Sequence, residues 1–425
     1  MTKTAAFICP PLQGHINPMS AIAYKLKERN INVLFIGLLD AAKYLEEFKF
    51  IPIGKEVFPK GSIKKITKKM AKLKGFLMAR VWQSKFSNKW SDVVCNELPA
   101  IIEREEIDFI ICDQLEAATA LVADHLKILF ITVCNAMTIV MHEIIPPFFV
   151  SWDYKTTERR LKTNRGFYTV TKYILNYDTR VVEKWRKKWG MPERNGMKRH
   201  FAYSTVATLC QQTKSLEFPL TEINKDWCYC GPFRNGFSSS YPMPNLPNDN
   251  IKNVYISLGS ILGSRYRLLK KCAKACKSQG LRPIIVHAGL LKEKKVKNLE
   301  KIALVFDYIK QPDIFKDCEI LISHCGLNTA IDALNYGRPI IGIPIGIEQG
   351  AIATKLKRAG CAIVLQRPTK KKIQNALSEI LSNPQYIENS RRIMEEINSA
   401  GGTEKAVDKI YNIMQEKPEK YLEVR

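Results

Sequence analysis

"EILISHCGLNTAIDALNYGRPIIGIPIGIEQGAIATKLKRAG", residues 319–360, decides the architecture. An apolar β-branched run ends at Ser323, Gly326 permits a tight turn, and a helical pattern opens near Leu327 to Thr329. A second run, "RPIIGIPI", leads to another helix opening at Glu348 and Gln349. Strand, turn and helix in that order make βαβ units and a parallel sheet. The helix that follows Gly326 starts with unpaired N–H groups and the positive end of its dipole, a seat for a diphosphate. His324, Asn328 and Thr329 add donors there, and Asp332 falls one turn on, placed to accept from a ribose hydroxyl. The Glu348 carboxylate and the Gln349 amide suit sugar hydroxyls. Taken singly, His324 fits a helix cap, Asn328 and Thr329 fit polar turn positions, and Glu348 fits a favourable charge at a helix start. Together at strand-to-helix joints they fit a nucleotide sugar.

The same rhythm runs outward in both directions. "NVYISLG", a helix over about 264–279, "RPIIVHA", "IALVF", "EILIS", "RPIIGIPI" and "CAIVL" form one doubly wound sheet. "AAFIC", a helix over 17–29, "INVLFIG", "IDFIIC", a helix over 115–126 and "ILFITV" form another. Between them, 231–250 is rich in proline and has no hydrophobic period, so it reads as a linker. The expected division is an amino-terminal domain 1–230, the linker 231–250, a carboxy-terminal domain 251–405, and a last helix 406–425 packing back on the first domain. Two such α/β sheets facing each other enclose a cleft.

Composition bounds the partners. The 425 residues carry 66 Lys plus Arg against 41 Asp plus Glu, a formal charge of +25. That balance favours an anionic partner, whether nucleotide, nucleic acid or acidic membrane, without choosing among them. The 12 cysteines are scattered, many inside apolar runs, as in a reducing compartment. "CYC" (228–230) and "CAKAC" (272–276) lack a second half with metal-ligand spacing, so no metal site is expected. The opening "MTKTAAFICPPLQGH" does not read as a signal peptide, and no apolar run is long enough to span a bilayer. Two basic stretches interrupt the first domain, 60–90 and 151–199. In 60–90 the apolar residues Ile63, Ile66, Met70, Leu73, Leu77 and Val81 recur at helical spacing among lysines, a basic amphipathic pattern.

Residues 308–349 resemble the donor-binding signature of the UDP-glycosyltransferases. Where that family has Trp-x-Pro-Gln, this chain has "YIKQ": Tyr308 stands at the uracil-stacking position and Lys310 replaces the proline. Gln311, His324, Gly326, Asn328, Thr329, Glu348 and Gln349 match, and Asp332 stands where plant members have Glu. "VYISLGS" (254–260) is similar to the family's first donor-domain loop, in which Gly259 allows close backbone approach and Ser260 reaches the diphosphate. "GHINP" (14–18) resembles the setting of the family's general base. The resemblance therefore implies that His15 removes the acceptor proton, with Asp113 at the end of "DFIICDQ" as its partner and Asp108 as the weaker alternative.

The resemblance also implies a fold and a reaction. The fold is two facing Rossmann-like, doubly wound parallel-sheet domains of the GT-B type. The reaction is inverting transfer of a hexose, glucose, from a UDP-sugar to a hydroxyl of a small lipophilic acceptor. "CPPLQGHINPM" together with "SHCGLNTAIDAL" is most similar to the bacterial zeaxanthin glucosyltransferase branch, which points to a hydroxylated carotenoid. No cofactor or metal is expected, because no acidic metal-binding cluster adjoins the signature. The expected location is cytoplasmic and peripheral on the inner membrane face, with 60–90 and "IVMHEIIPPFFV" (139–150) docking on anionic lipid. Nucleic acid is not an expected partner. The alternatives are transfer to another hydrophobic metabolite or lipid, a UDP-sugar epimerase or cell-wall transferase, and a non-catalytic basic membrane- or nucleic-acid-binding protein. The last explains the charge and leaves the donor signature unexplained.

Overall fold

A computed structural model describes residues 2–175, 179–192, 203–219, 227–234, 245–247, 249–309, 311–346 and 348–416. Most of the expected linker, Lys310, parts of 151–199 and the chain after 416 lie outside the described residues. The first sheet contains β1 (Thr4–Ile8), β2 (Asn32–Gly37), β3 (Lys49–Pro52), β4 (Phe109–Asp113), β5 (Leu129–Cys134), β6 (Thr208–Cys210) and β7 (Trp227–Tyr229), in the order β3-β2-β1-β4-β5-β6-β7. The second contains β8 (Asn253–Ser257), β9 (Arg282–Val286), β10 (Leu304–Phe306), β11 (Cys318–Ser323), β12 (Ile340–Gly342) and β13 (Ala362–Val364), in the order β10-β9-β8-β11-β12-β13. Every neighbouring pair is parallel.

The central strands are near-continuous apolar runs because helices cover both faces: β4 and β5 are buried at every position, Asp113 and Thr132 included. In each sheet the winding reverses direction once, at β1/β4 and at β8/β11. At such a reversal the loops leaving the two strands diverge and open a crevice at their carboxyl ends. His15 is in the first helical turn after β1 and Asp113 is the last residue of β4; the turns after β8 and β11 carry Gly259 and His324.

The two halves are joined by polar and apolar contacts. Lys355, on the helix Gln349–Arg358, pairs with Glu217 at 2.6 Å, each side chain 4% exposed. Glu217 also accepts from Thr138, from Gln212 at 2.5 Å and from the Phe218 N–H at 2.9 Å, so the buried carboxylate is saturated with donors. Nearby, Gly350 sits so close to Val150 that a Cβ would lie 2.7 Å from its backbone. The helix Gly402–Gln415 returns to the first sheet, burying Ala406, Val407, Ile410 and Ile413 in one cluster with Ile16, Met19 and Ile22.

The basic stretch departs from expectation. It holds two helices, Ser62–Met70 and Gly75–Trp82, broken at the turn between them, and the second continues through a wider turn, Gln83–Ser87, into the helix Asn88–Arg104. Its apolar stripe is not offered to lipid. Met70 and Met78 are buried against the second sheet with Ile66, Leu73 and Val81 packed beside them, and only Leu77, 54% exposed, faces outward. Ile139, Val140, Ile145 and Phe148 of the second expected docking segment are buried too. These residues recur at helical spacing because they bridge two domains, and a bridging helix has the same periodicity as a membrane-lying one. Among the described residues no helix is long and apolar enough to cross a membrane.

Lys355→Met leaves Glu217 buried without its cation and is expected to cost roughly 3–5 kcal/mol of stability in denaturant unfolding. Lys355→Met combined with Glu217→Leu is expected to recover most of that loss. Wild-type stability in the single variant would contradict the linking role of the pair.

Candidate functional site

On the amino-terminal side, β1 ends at Ile8 and the prolines of "CPPLQ" turn the chain into the helix Gln13–Glu28. His15 is in the first turn of that helix, with its N–H bonded to the Leu12 carbonyl at 2.9 Å, rather than at the loop joint where the pattern put it. Because β4 lies beside β1, the end of β4 comes next to this turn. The Asp113 Oδ2 is 2.7 Å from His15 Nδ1. Asp113 is fully buried and also accepts from Asn135 Nδ2 at 2.7 Å and from the Leu115 N–H at 2.9 Å. A carboxylate so placed only accepts, so Nδ1 carries the proton and Nε2 has a free lone pair. Burial pulls the imidazole pKa down, but the attraction of Asp113, Glu348 and Glu116 outweighs it, and the net shift is upward. Asp108 is at the other end of the sheet, where it accepts from the Thr4 N–H at 2.7 Å.

On the other side, β11 ends at Ser323 and the chain turns through Cys325, held at φ 65°, into the helix Leu327–Leu334. His324 lies over two glycines: a Cβ on Gly259 would be 2.6 Å from its ring, and one on Gly326 would be 2.5 Å from Nε2. Both positions exclude any larger residue. Burial lowers the His324 pKa to about 4, so the ring is neutral near pH 7 and offers one N–H rather than a charge. Asn328 and Thr329 are in the first turn, and Asp332 follows one turn later. Tyr308 is 40% exposed, with its hydroxyl donating to the Ala288 carbonyl at 3.0 Å. Gln311 donates to the buried Tyr255 hydroxyl at 2.8 Å. Gln349 Oε1 accepts from the Ile345 and Gly346 N–H groups at 2.9 and 2.6 Å, so this carbonyl caps the loop and leaves the amide NH₂ for a ligand. Burial raises the Glu348 carboxyl above its ordinary value, with His15 among the groups pulling it back.

A cleft of about 680 Å³ is lined by Gly14, Pro18, Gly259, Ser260, Tyr308, Gln311, Asn328, Thr329 and Asp332. His324 and Gly326 sit behind its wall, and Glu348 acts electrostatically on His15. One residue of the cleft carried no signal in the sequence. Arg234, inside the stretch read as linker, holds the Asp332 carboxylate at 2.7 Å and donates to Gln211 Oε1 at 2.8 Å. Its own backbone is fixed from both sides by the Thr403 hydroxyl, at 2.9 and 2.8 Å. Asn135, which braces Asp113, was also missed. No periodicity marks either residue.

A hydrogen bond joins the two motifs directly, and a proline makes it available. In a helix the Gly14 carbonyl accepts the N–H of residue 18; here that residue is Pro18, which has none. The carbonyl is instead bonded by Asn328 Nδ2 at 2.8 Å. The "GHINP" turn and the "HCGLNT" turn thus meet one residue away from His15. Pro18→Ala restores a competing N–H and is expected to lower kcat several-fold while UDP affinity in calorimetry stays within about twofold. Gly326→Ala drives a Cβ into His324 and is expected to weaken UDP binding by at least about tenfold, ~1.4 kcal/mol. Unchanged affinity in the latter variant would contradict the role of the ring in the donor site.

The family model "UDP-glucoronosyl and UDP-glucosyl transferase" matches residues 19–398. The chain is 25% identical over 415 residues to a zeaxanthin glucosyltransferase of Pantoea ananas, covering 96% of this chain and 95% of that protein. It is 26% identical over 413 residues to a zeaxanthin glucosyltransferase of Pseudescherichia vulneris, covering 94% and 95% respectively. Among solved structures, the kitacinnamycin glycosyltransferase superimposes with a TM-score of 0.77 at 17% identity, covering 97% of this chain and 100% of that one. The calicheamicin glycosyltransferase CalG4 does so with a TM-score of 0.73 at 14% identity, covering 97% and 98%. At such identities these structures establish the GT-B fold of two facing parallel-sheet domains. With the family model spanning most of its length, the chain belongs to the UDP-glucoronosyl and UDP-glucosyl transferase family.

Proposed function

We propose that this UDP-glycosyltransferase moves a hexose, glucose, with inversion from UDP to a hydroxyl of a lipophilic acceptor, a hydroxylated carotenoid such as zeaxanthin. His15 Nε2 takes the acceptor proton as the oxygen attacks the anomeric carbon. Asp113 holds the ring in the reactive tautomer and stabilises the imidazolium that forms. The first-turn N–H groups of the helix Leu327–Leu334, with His324, Asn328, Thr329, Gly259 and Ser260, take the charge that develops on the departing diphosphate. Tyr308 and Gln311 hold the uracil, Asp332 exchanges Arg234 for the ribose, and Glu348 with the Gln349 amide holds the hexose. Residues 1–230 serve the acceptor and 251–405 the donor. The reaction as proposed calls on no metal, the first-turn N–H groups taking the charge of the departing diphosphate.

One observation carries this reading: the His15–Asp113 pair lies one residue from the contact between Gly14 and Asn328, the nearness that a base acting beside a diphosphate seat requires. The carotenoid acceptor is supported by the two zeaxanthin glucosyltransferase relatives, each matched across nearly its whole length. Peripheral contact of this cytoplasmic enzyme with an anionic inner membrane face is supported by the exposed lysines 64, 65, 68 and 69. It rests on charge, not on the buried apolar stripe. Such contact weakens with salt, so co-sedimentation with anionic vesicles is expected at low ionic strength and lost at high.

Release of UDP from UDP-glucose in the presence of zeaxanthin, with mass-spectrometric detection of the glucoside, tests the reaction. His15→Ala is expected to lower kcat by about 10²–10⁴-fold. The base acts only when neutral, and its pKa is raised, so activity is lost as pH falls through a value above the ordinary ~6.5. In Asp113→Asn the upward pull of the carboxylate is gone while burial still pulls down. The acidic limb of kcat/KM is therefore expected to move to lower pH, with kcat reduced. A limb that stays in place would contradict the pairing.

A further inference from the structure

The donor and acceptor residues leave a second cavity unused. It has a volume of about 920 Å³ and lies between the 71–75 turn of the first half and the chain leaving β12 and β13 in the second. Among the described residues it shares no lining residue with the donor cleft. Its charged lining residues among these are Lys74, Arg265, Arg267, Lys271, Lys295 and Arg367, with no Asp or Glu.

Some surface cations of this chain have carboxylates beside them, as in Arg29 with Asp408, Lys49 with Glu105 and Lys357 with Asp153. Among the described residues that line this cavity there is no such carboxylate. The two inner cations are instead fixed by carbonyls: Arg265 donates to Ala71 and Leu73 at 3.1 and 2.5 Å, and Lys271 donates to Pro368 at 2.8 Å. Arg265 Nε–H is buried without a protein acceptor. Lys295 stands over the Tyr266 ring at 5.6 Å. The first turns of two helices, Tyr266–Lys277 and Lys370–Ser382, open onto the same space, and residues 264–268 and 367–369 line it. Their dipoles add positive potential at the point where the side chains already concentrate it. Like charges gathered in a concave, partly desolvated site repel one another until an anion enters. Guanidinium forks with N–H groups at helix starts are the donor set that phosphate oxygens match best.

We infer that this cavity is a binding site for a phosphate-bearing polyanion, separate from the nucleotide-sugar site. Its source is either a soluble di- or oligophosphate or the headgroup of an anionic lipid. The rim favours neither: Lys74 belongs to the same basic stretch as the exposed lysines, and Phe149 in the wall contacts Phe76 and Phe167.

The full-length protein is titrated calorimetrically at low salt with inorganic pyrophosphate, and co-sedimented with vesicles of phosphatidylcholine with or without phosphatidylglycerol. The pocket variant is Arg267→Ala/Lys295→Ala/Arg367→Ala, all three exposed, so its fold is retained. The charge-matched control is Lys274→Ala/Lys277→Ala/Lys301→Ala, three exposed lysines that line neither cavity, and His324→Ala reports the donor site. The expected result is saturable pyrophosphate binding that persists in His324→Ala, changes less than about twofold in the control, and falls at least about tenfold in the pocket variant. If the pocket variant also loses phosphatidylglycerol-dependent sedimentation while the control keeps it, the source is a lipid headgroup. If sedimentation is unaffected by the pocket variant, the source is soluble. Equal weakening in pocket variant and control, or loss in His324→Ala with retention in the pocket variant, would overturn the site.

Discussion

The hydrogen bond between His15 and Asp113 is the constraint around which the amino-terminal half is built. A carboxylate with no exposure to water is tolerated only where donors replace its hydration, and Asp113 has the imidazole, the Asn135 amide and the Leu115 N–H. Those donors come from the loops after β1, β4 and β5, which the strand order sets side by side. The buried charge therefore fixes three loops at once. It also decides which ring nitrogen carries the proton, and so leaves Nε2 as the acceptor of the neutral ring.

The proposed reaction needs the base of one domain at a fixed distance from the donor held by the other, since small displacements of reacting groups reduce rates steeply. Here the spacing is set in two places. Far from the chemistry, the saturated Lys355–Glu217 pair fixes the helix that follows Glu348 and Gln349 to the first half. At the chemistry, the carbonyl that Pro18 leaves without an intrahelical partner accepts from Asn328. The proline in the second turn of the helix Gln13–Glu28 thus acts through a missing N–H: it turns an internal helix bond into a contact between domains. The two glycines under His324 serve the same end by letting the turns after β8 and β11 close on one ring.

Much of this was legible in the sequence because long buried parallel strands are near-continuous apolar runs. "AAFIC", "INVLFIG", "NVYISLG" and "EILIS" each became a strand within a residue or two of the reading. The short strands β3, β6 and β7 were not read, since their three or four residues are not set in a longer apolar run as those of β10 and β13 are. The donor turn was legible because a strand, a glycine and a helix start are local. Arg234, Asn135 and the Pro18–Gly14–Asn328 relation were not, because each depends on which segments the fold brings together. The 60–90 stripe was read correctly as apolar and helical, and its destination was read wrongly. Periodicity tells that a face is buried, not against what.

The most direct measurement is a structure of the protein with UDP-2-deoxy-2-fluoroglucose, a donor whose sugar is retained. The account expects the diphosphate on the N–H groups that open the helix after Gly326, the ribose on Asp332 in place of Arg234, and the anomeric carbon facing His15 Nε2 with room for one acceptor oxygen between them. A diphosphate bound away from that turn, or a hexose turned from His15 with the domains closed, would contradict it.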